Sequence, residues 1–234
     1  MIKNKKILIT GSSSGLGYAL MNLFLSNKNK VFSLSRKKLK KRENLRSVVC
    51  NLKEISKIKY KLKKLLNTKK IDYVFLNAGI LGKINNISKI SFNEINEIFK
   101  INVFANKEVL DYFVKNKIKT KLIVGISSGA ALSPKFGWYL YCSSKSAFKF
   151  LIESYANEDP KRKFINISPG LIKTKMQNQI CKVNEKKIYS VKKFKKLNRS
   201  NKVPTPNDVA KNIIKNLASM KNKKNGSYLD IRKQ

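Results

Sequence analysis

The sequence predicts an α/β fold: a mainly parallel sheet of seven strands, wound on both faces by helices. Three observations predict it. Short apolar runs alternate with amphipathic stretches, the first run passes through a Gly/Ser turn straight into a helix, and polar residues of chemical promise recur just after the strands. Such alternation makes successive strands parallel, joins them by right-handed crossovers and buries both faces of the sheet.

Taken in order, Lys6-Ile7-Leu8-Ile9-Thr10 reads as a buried strand over 6–10 and runs through Gly11–Gly17 into an apolar, helix-period stretch over 15–27. Further strands are expected near 31–35, 47–50, 72–76, 121–127, 163–167 and 227–231, with helices near 53–67, 92–115, 138–156 and 206–219. Thr205-Pro206 signals the start of the last helix, because proline lacks the N–H that a first helical residue leaves unbonded. No repeat or long linker interrupts the pattern, so residues 1–234 read as one domain. The one shift in composition is 182–202, where nine bases surround few apolar positions; it predicts a mobile, substrate-side excursion between the sixth strand and the last helix.

Composition narrows the class. At 234 residues and 42% hydrophobic content the chain can bury a full core. Cys50, Cys142 and Cys181 are odd in number and irregularly spaced, and histidine is absent, so neither a disulfide framework nor a metal site is implied. A cytoplasmic setting is expected, with no signal peptide and no membrane span. The net charge of +39 comes from 52 bases, mostly lysine, against 13 acids. Those bases are spread along the chain beside abundant Asn and Ile, as a coding bias would spread them. Arginines and aromatics do not cluster on one element, so no specific nucleic-acid partner is expected, only salt-sensitive adhesion to polyanions.

The chemistry centres on Tyr141-Cys-Ser-Ser-Lys145, with Ser128 thirteen positions before the tyrosine. Residues i and i+4 share a helix face, which brings the Lys145 ammonium to the Tyr141 phenol. A cation about 4 Å away at an effective dielectric of about 20 is worth roughly 4 kcal/mol, or about three pKa units, so the phenol is expected to exchange a proton near neutrality. The Gly11–Gly17 turn is a phosphate cradle, since glycine lets the backbone approach a pyrophosphate and the next helix offers free N–H groups. Its spacing is not the general Gly-x-Gly-x-x-Gly. Ile95, Ile98, Phe99 and Val103 mark an apolar helix face that contains Asn102, so that amide must be buried and hydrogen-bonded. Gly11–Gly17, Arg36, Asn77-Ala78-Gly79, Ser128 and Pro169-Gly170 each follow a strand, and open parallel sheets bind ligands at those carboxyl ends.

Thr10-Gly11-x-x-x-Gly15-x-Gly17, Asn77-Ala78-Gly79, Asn102, Ser128, Tyr141-x-x-x-Lys145 and Pro169-Gly170-x-x-x-Thr174 together resemble the short-chain dehydrogenase/reductase family, in the family's order. Gly137-Trp138-x-x-Tyr141-Cys142 and Thr174-Lys175-Met176-Gln177 look most similar to its sepiapterin reductase and benzil reductase-like members. The resemblance implies a Rossmann-type domain, a nicotinamide cofactor and a small-molecule carbonyl substrate. It implies that Tyr141 protonates the carbonyl oxygen as hydride arrives, Ser128 bonds that oxygen, Lys145 lowers the tyrosine pKa and grips the nicotinamide ribose, and Asn102 holds a proton-relaying water. Ser127 is the alternative to Ser128, but only Ser128 has the family's spacing. Cofactor contacts are implied for Gly11, Ser13, Ser14, Gly15, Leu16, Gly17, Arg36, Asn51, Leu52, Asn77, Ala78, Gly79, Tyr141, Lys145, Pro169, Gly170, Ile172 and Thr174. A homodimer or homotetramer, paired through the helices of Asn102 and Tyr141, is implied as well; Phe148, Ile152 and Tyr155 fit either that outer face or the core.

Ser35-Arg36-Lys37-Lys38 carries no acid after the second strand, where a carboxylate would hold the ribose of NAD, so NADP(H) is favoured over NAD(H). Two positions depart from the family's pattern. Asn51 stands where an aspartate beside the adenine is usual, and Ser14 where many NADP enzymes carry a base. Asp230 falls where sepiapterin reductase has its pterin-anchoring acid, against a structural role that is the favoured reading. Trp138 is either a wall of the substrate pocket or core. The expected activity is NADPH-dependent reduction of a ketone or dicarbonyl, and the alternative is a non-catalytic scaffold whose basic surface attracts polyanions.

Overall fold

The structure, a computed structural model, describes residues 2–200 and 202–234. Met1 of the expected domain and Asn201 of the 182–202 segment lie outside them.

The sheet is built from β1 (Lys6–Thr10), β2 (Lys30–Ser35), β3 (Leu45–Val49), β4 (Tyr73–Leu76), β5 (Leu122–Ile126), β6 (Phe164–Ser168) and β7 (Tyr228–Asp230). Their spatial order is β3-β2-β1-β4-β5-β6-β7, and every pairing is parallel. Period-two alternation assigns the two faces. Ile7 and Ile9 join one core cluster, Leu8 the other, and all three are fully buried. A strand buried on both faces must be apolar throughout, which is why β1 reads as a continuous run.

One face is covered by α1 (Gly15–Ser26), α8 (Pro206–Lys215) and α9 (Leu217–Asn222), through Leu16, Leu20, Phe24, Val209, Ile213 and Met220. The other is covered by α2 (Ile58–Leu65), α4 (Ala105–Lys115) and α5 (Tyr139–Glu158), through Leu62, Val109, Phe113, Phe148 and Ile152. Phe148 and Ile152 are thus core, which decides between the two readings left open for them; the side of α5 that carries them is the one that meets the sheet. Thr205 caps α8 as a capping box with Asp208, the proline following at the first turn.

Three differences from the expected elements have local causes. The helix expected over 92–115 is α3 (Phe92–Phe99) and α4 joined by a π-helical turn, Lys100–Phe104, centred on Asn102. The helix expected over 206–219 divides at Asn216, whose Nδ2 donates to the Asn212 carbonyl at 3.0 Å and so ends α8 locally. The stretch expected as a mobile excursion, entered from α6 (Lys175–Lys182), holds a single helical turn, Tyr189–Val191, and a helix, α7 (Lys192–Arg199). Its few apolar residues suffice: Ile188 and Val191 are buried against Trp138 and Leu81.

Candidate active site

The Gly11–Gly17 turn is held closed by its neighbours. Gly11 has φ +71, and a Cβ there would stand 2.8 Å from the Ala78 Cα; one on Gly17 would stand 2.4 Å from the Gly11 carbonyl oxygen. The Asn77 amide donates to the carbonyls of Thr10 (3.0 Å) and Gly11 (3.2 Å), while Thr10 Oγ1 accepts from the N–H groups of Asn77 (3.0 Å) and Ala78 (3.1 Å). The ends of β1 and β4 are stitched together by these bonds. Opposite, a Cβ on Gly15 would meet the Thr174 methyl at 3.4 Å, so the Pro169–Thr174 stretch borders the same turn. Ile172, half-buried, packs against the α1-side core.

What the turn offers is a set of donors. Ser14 precedes α1 without capping it by its side chain, and the first turn holds no acid, so no side-chain cap or carboxylate of its own first turn meets the leading N–H groups and the positive helix end. Leu16 anchors the helix in the core, and Ser13 is half-buried beside it. A bound pyrophosphate fits this cradle. Past β2, Arg36, Lys37 and Lys38 are all exposed with no acid beside them in the chain, and the Ser35 hydroxyl donates to the Lys37 carbonyl at 2.9 Å, shaping the bend. Past β3, Leu52 is buried and Asn51 exposed; Asn51 Oδ1 accepts from the Lys53 N–H at 3.2 Å, which commits one lone pair to its own turn.

Tyr141 and Lys145 lie one helical turn apart on α5, facing the end of β5. Ser128 Oγ accepts from the Ala130 N–H at 3.1 Å, and its hydroxyl neighbours the Tyr141 phenol. Lys145 is 5% exposed; its Nζ donates to the Ile126 carbonyl at 2.7 Å and stands 5.9 Å from the centre of the Tyr141 ring. This overturns the expected sign of the phenol's shift. Burial pushes Tyr141 up to about 12, with Ser128 pulling it back, and burial alone brings Lys145 down to about 8. The expectation set one charge beside the phenol, whereas the fold buries the ammonium, leaves the phenol half-buried and spends the ammonium's hydrogen bond on a backbone carbonyl. Desolvation wins.

Asn102 is buried and doubly tied to Ile80: its Oδ1 accepts from the Ile80 N–H at 2.8 Å and its Nδ2 donates to the Ile80 carbonyl at 2.9 Å. The second Nδ2 proton goes to Ser144 Oγ at 3.0 Å. A Cβ on Gly79 would meet Asn102 Oδ1 at 3.2 Å and Lys145 Nζ at 3.5 Å, so glycine here lets the amide and the ammonium approach one another. The π turn rotates Asn102 toward β4, as an extra residue in a helical turn does.

Trp138 is core as well as wall. Its ring stacks on Phe194 of α7 at 4.8 Å, meets Tyr141 edge-on at 6.2 Å, and its Nε1 donates to Ser190 Oγ at 3.0 Å. Segment 182–200 therefore packs on Trp138 and belongs to the same apolar cluster that the tyrosine borders. Asp230 is ion-paired with Arg232, whose Nε donates at 2.8 Å, and this holds the carboxyl below its usual range. The Arg232 side chain in turn lies over Gly170, whose φ is +77. Ser144, Ser190 and Phe194 were not anticipated as site residues. The one signal for Phe194 is its aromatic ring among lysines; Ser144 and Ser190 carry none.

A family model described as short chain dehydrogenase matches residues 5–185. An uncharacterised oxidoreductase of Schizosaccharomyces pombe is 34% identical over 221 residues, covering 88% of each chain. Benzil reductase ((S)-benzoin forming) of Bacillus subtilis is 29% identical, covering 96% of this chain and 97% of its own. Rat sepiapterin reductase is 33% identical over 109 residues, 43% of this chain and 41% of its own. Among solved structures, a short chain dehydrogenase/reductase of Saccharomyces cerevisiae superposes with a TM-score of 0.88 at 26% identity, covering 97% of this chain and 96% of that one. ElxO with NADP bound gives 0.78 at 26%, covering 97% of both.

Proposed function

Because the chain belongs to the short chain dehydrogenase family and is an NAD(P)-dependent oxidoreductase, we propose that it reduces a ketone or vicinal dicarbonyl with NADPH, Tyr141 acting as general acid. The observation that carries the reading is the convergence of Ser128, Tyr141 and Lys145 at the end of β5, on the same sheet edge as an uncapped glycine turn. The nicotinamide supplies hydride when bound. On this chain, the Ser128 hydroxyl and Tyr141 phenol take the carbonyl oxygen between them, and the phenolic proton passes to that oxygen as negative charge develops there. A phenol raised to about 12 remains acidic enough for an alkoxide. Lys145, brought down to about 8, carries a proton that it can exchange near neutral pH.

Preference for NADP(H) is supported by exposed Arg36 with Lys37 and Lys38, and by the missing acid after β2. A benzil- or sepiapterin-like substrate is supported by the relatives' activities and by the aromatic wall of Trp138 and Phe194 beside Tyr141. The same reading takes the protein to be cytoplasmic, as its few and irregularly spaced cysteines suggest. It also takes the chain to pair into a dimer or tetramer through the exposed sides of the Asn102 and Tyr141 helices, where Phe104 and Phe150 stand in solvent.

The experiment is NADPH oxidation by purified protein against diketones, pterins, quinones and sugar ketones. Tyr141→Phe is expected to lower kcat by roughly 10²–10⁴, the range of a lost general acid, with NADPH affinity kept. A variant that reduces as fast as wild type removes Tyr141 from that role.

A further inference from the structure

The sheet beneath the N-terminal half of α5 is polar where a helix-covered face is ordinarily apolar. Alternate residues of β5, β6 and β7 point to α5: Gly125, whose Cβ position lies 3.1 Å from Phe148 and Ile152, then Ser127; Asn166, then Ser168; and Tyr228, which pairs with Asn166. Asn166 is fully buried and its Nδ2 donates to the Lys149 carbonyl of α5 at 3.2 Å. Three side-chain atoms in this row, Ser127 Oγ, Asn166 Oδ1 and Tyr228 Oη, are shut from solvent with no partner among the described residues. Ser168 lies beside Tyr228 and draws its acidity back against burial without completing a hydrogen bond. Tyr228 is also near enough for its charge to act on Tyr141.

All three orphaned polar atoms lie on one buried face, and buried polar groups in folded proteins ordinarily find partners in protein or ordered water. Two to four such groups converging are what a buried water requires. We propose that Ser127, Asn166 and Tyr228 enclose an ordered-water site behind the Tyr141–Lys145 pair, and that Tyr228 is a positioning residue which, through that water, fixes the Tyr141 phenol beside Ser128. Lys145 is held from the same side by the Ile126 carbonyl, one residue before Ser127, so both reacting side chains rest on this layer. Positioning of this kind matters because a small misplacement of a reacting group costs rate steeply.

High-resolution crystal structures of wild type and Tyr228→Phe test the proposal. Wild type is expected to show at least one ordered water bonded to two or more of the three atoms, and the variant to lose it and shift the Tyr141 hydroxyl from Ser128. A dry layer, or a Tyr141 that stays in place, overturns it. Thermal melting reads the same question independently: Tyr228→Phe and Ser127→Ala lower the midpoint if water bridges the atoms, and raise it if orphaned groups are being removed. The kinetic arm rests on the carbonyl-reductase reading. There, Tyr228→Phe is expected to lower kcat roughly ten- to hundredfold with KM for NADPH unchanged, and Ser127→Ala added to it is expected to cost little more. Unaltered kcat, or full multiplication of the two effects, overturns the positioning role. A wild type that reduces nothing sinks the reductase reading alone, and the crystal structures still decide this one.

Discussion

At the scale of single residues the most informative group is Arg36, because its chemistry is simple and its surroundings are not. It is exposed past β2 among lysines that crowd every surface, so position and not charge must distinguish it. A guanidinium forks onto phosphate with two parallel N–H bonds, which a neighbouring ammonium does not reproduce. Arg36→Ala is expected to weaken NADPH roughly ten- to hundredfold, the worth of hydrogen bonds to a charged group, and NADH by much less. Titration of protein fluorescence with both cofactors reads the two losses. Equal losses would assign the arginine to general attraction by a +39 surface. Tyr141 and Lys145 teach the complementary lesson. Their identity and spacing follow from sequence, but the direction of the phenol's shift does not, because it depends on burial and on where Nζ finds its acceptor, and Ile126 lies nineteen residues away.

At the scale of elements, the π turn at Lys100–Phe104 exists to aim one amide. Asn102 makes three hydrogen bonds to Ile80 and Ser144, and without them the turn has no reason to depart from α-helix. Asn102→Ala leaves the Ile80 N–H and carbonyl without these partners and is expected to destabilise the fold by roughly 2–4 kcal/mol in urea unfolding. A loss below about 0.5 kcal/mol would show that packing, and not the amide, holds the turn. Sequence periodicity foretold a helix over this stretch and a buried, bonded Asn102, because both follow from the spacing of Ile95, Ile98 and Phe99. It could not foretell the extra residue in the turn, since a π turn keeps the apolar face almost unchanged. The glycine turn and the seven strands were similarly legible, being set by backbone freedom and by continuous apolar runs. Segment 182–200 was not. Its order comes from Ile188, Val191 and Phe194 packing near Trp138, with Ser190 and Tyr189 held to Trp138 and Phe136, partners that are distant in sequence. Phe194→Ala is therefore expected to raise substrate KM while leaving NADPH affinity unchanged, as measured by steady-state kinetics beside cofactor titration. Equal loss of both would mean that α7 supports the whole crevice.

For the whole molecule, the Tyr141–Lys145 pair at the site writes a pH dependence into folding. In the unfolded chain Lys145 keeps its proton up to 10.5, whereas in the fold burial brings it down to about 8. Between those values the unfolded state binds more protons, so stability rises with pH across that window, by roughly 3 kcal/mol for a shift of this size. Tyr141 acts in the opposite sense. Its unfolded phenol ionises near 10.0 while the folded one holds its proton to about 12, so stability falls across that interval. Other groups add to the total curve: burial raises Cys50 to about 11 and pushes Tyr155 up beside Asp111, and both lower stability at high pH. Mutual repulsion across the +39 surface also relaxes as lysines discharge. The pair is isolated by difference. Subtracting the urea-unfolding free energy of Lys145→Met from that of wild type, at fixed ionic strength, is expected to leave a curve that climbs from about pH 8 to about pH 10.5. The same subtraction with Tyr141→Phe is expected to leave one that descends between about pH 10 and about pH 12. A flat first difference would mean that Lys145 keeps its charge inside the fold, in which case the Ile126 carbonyl outweighs desolvation and the phenol has a permanent cation at its side.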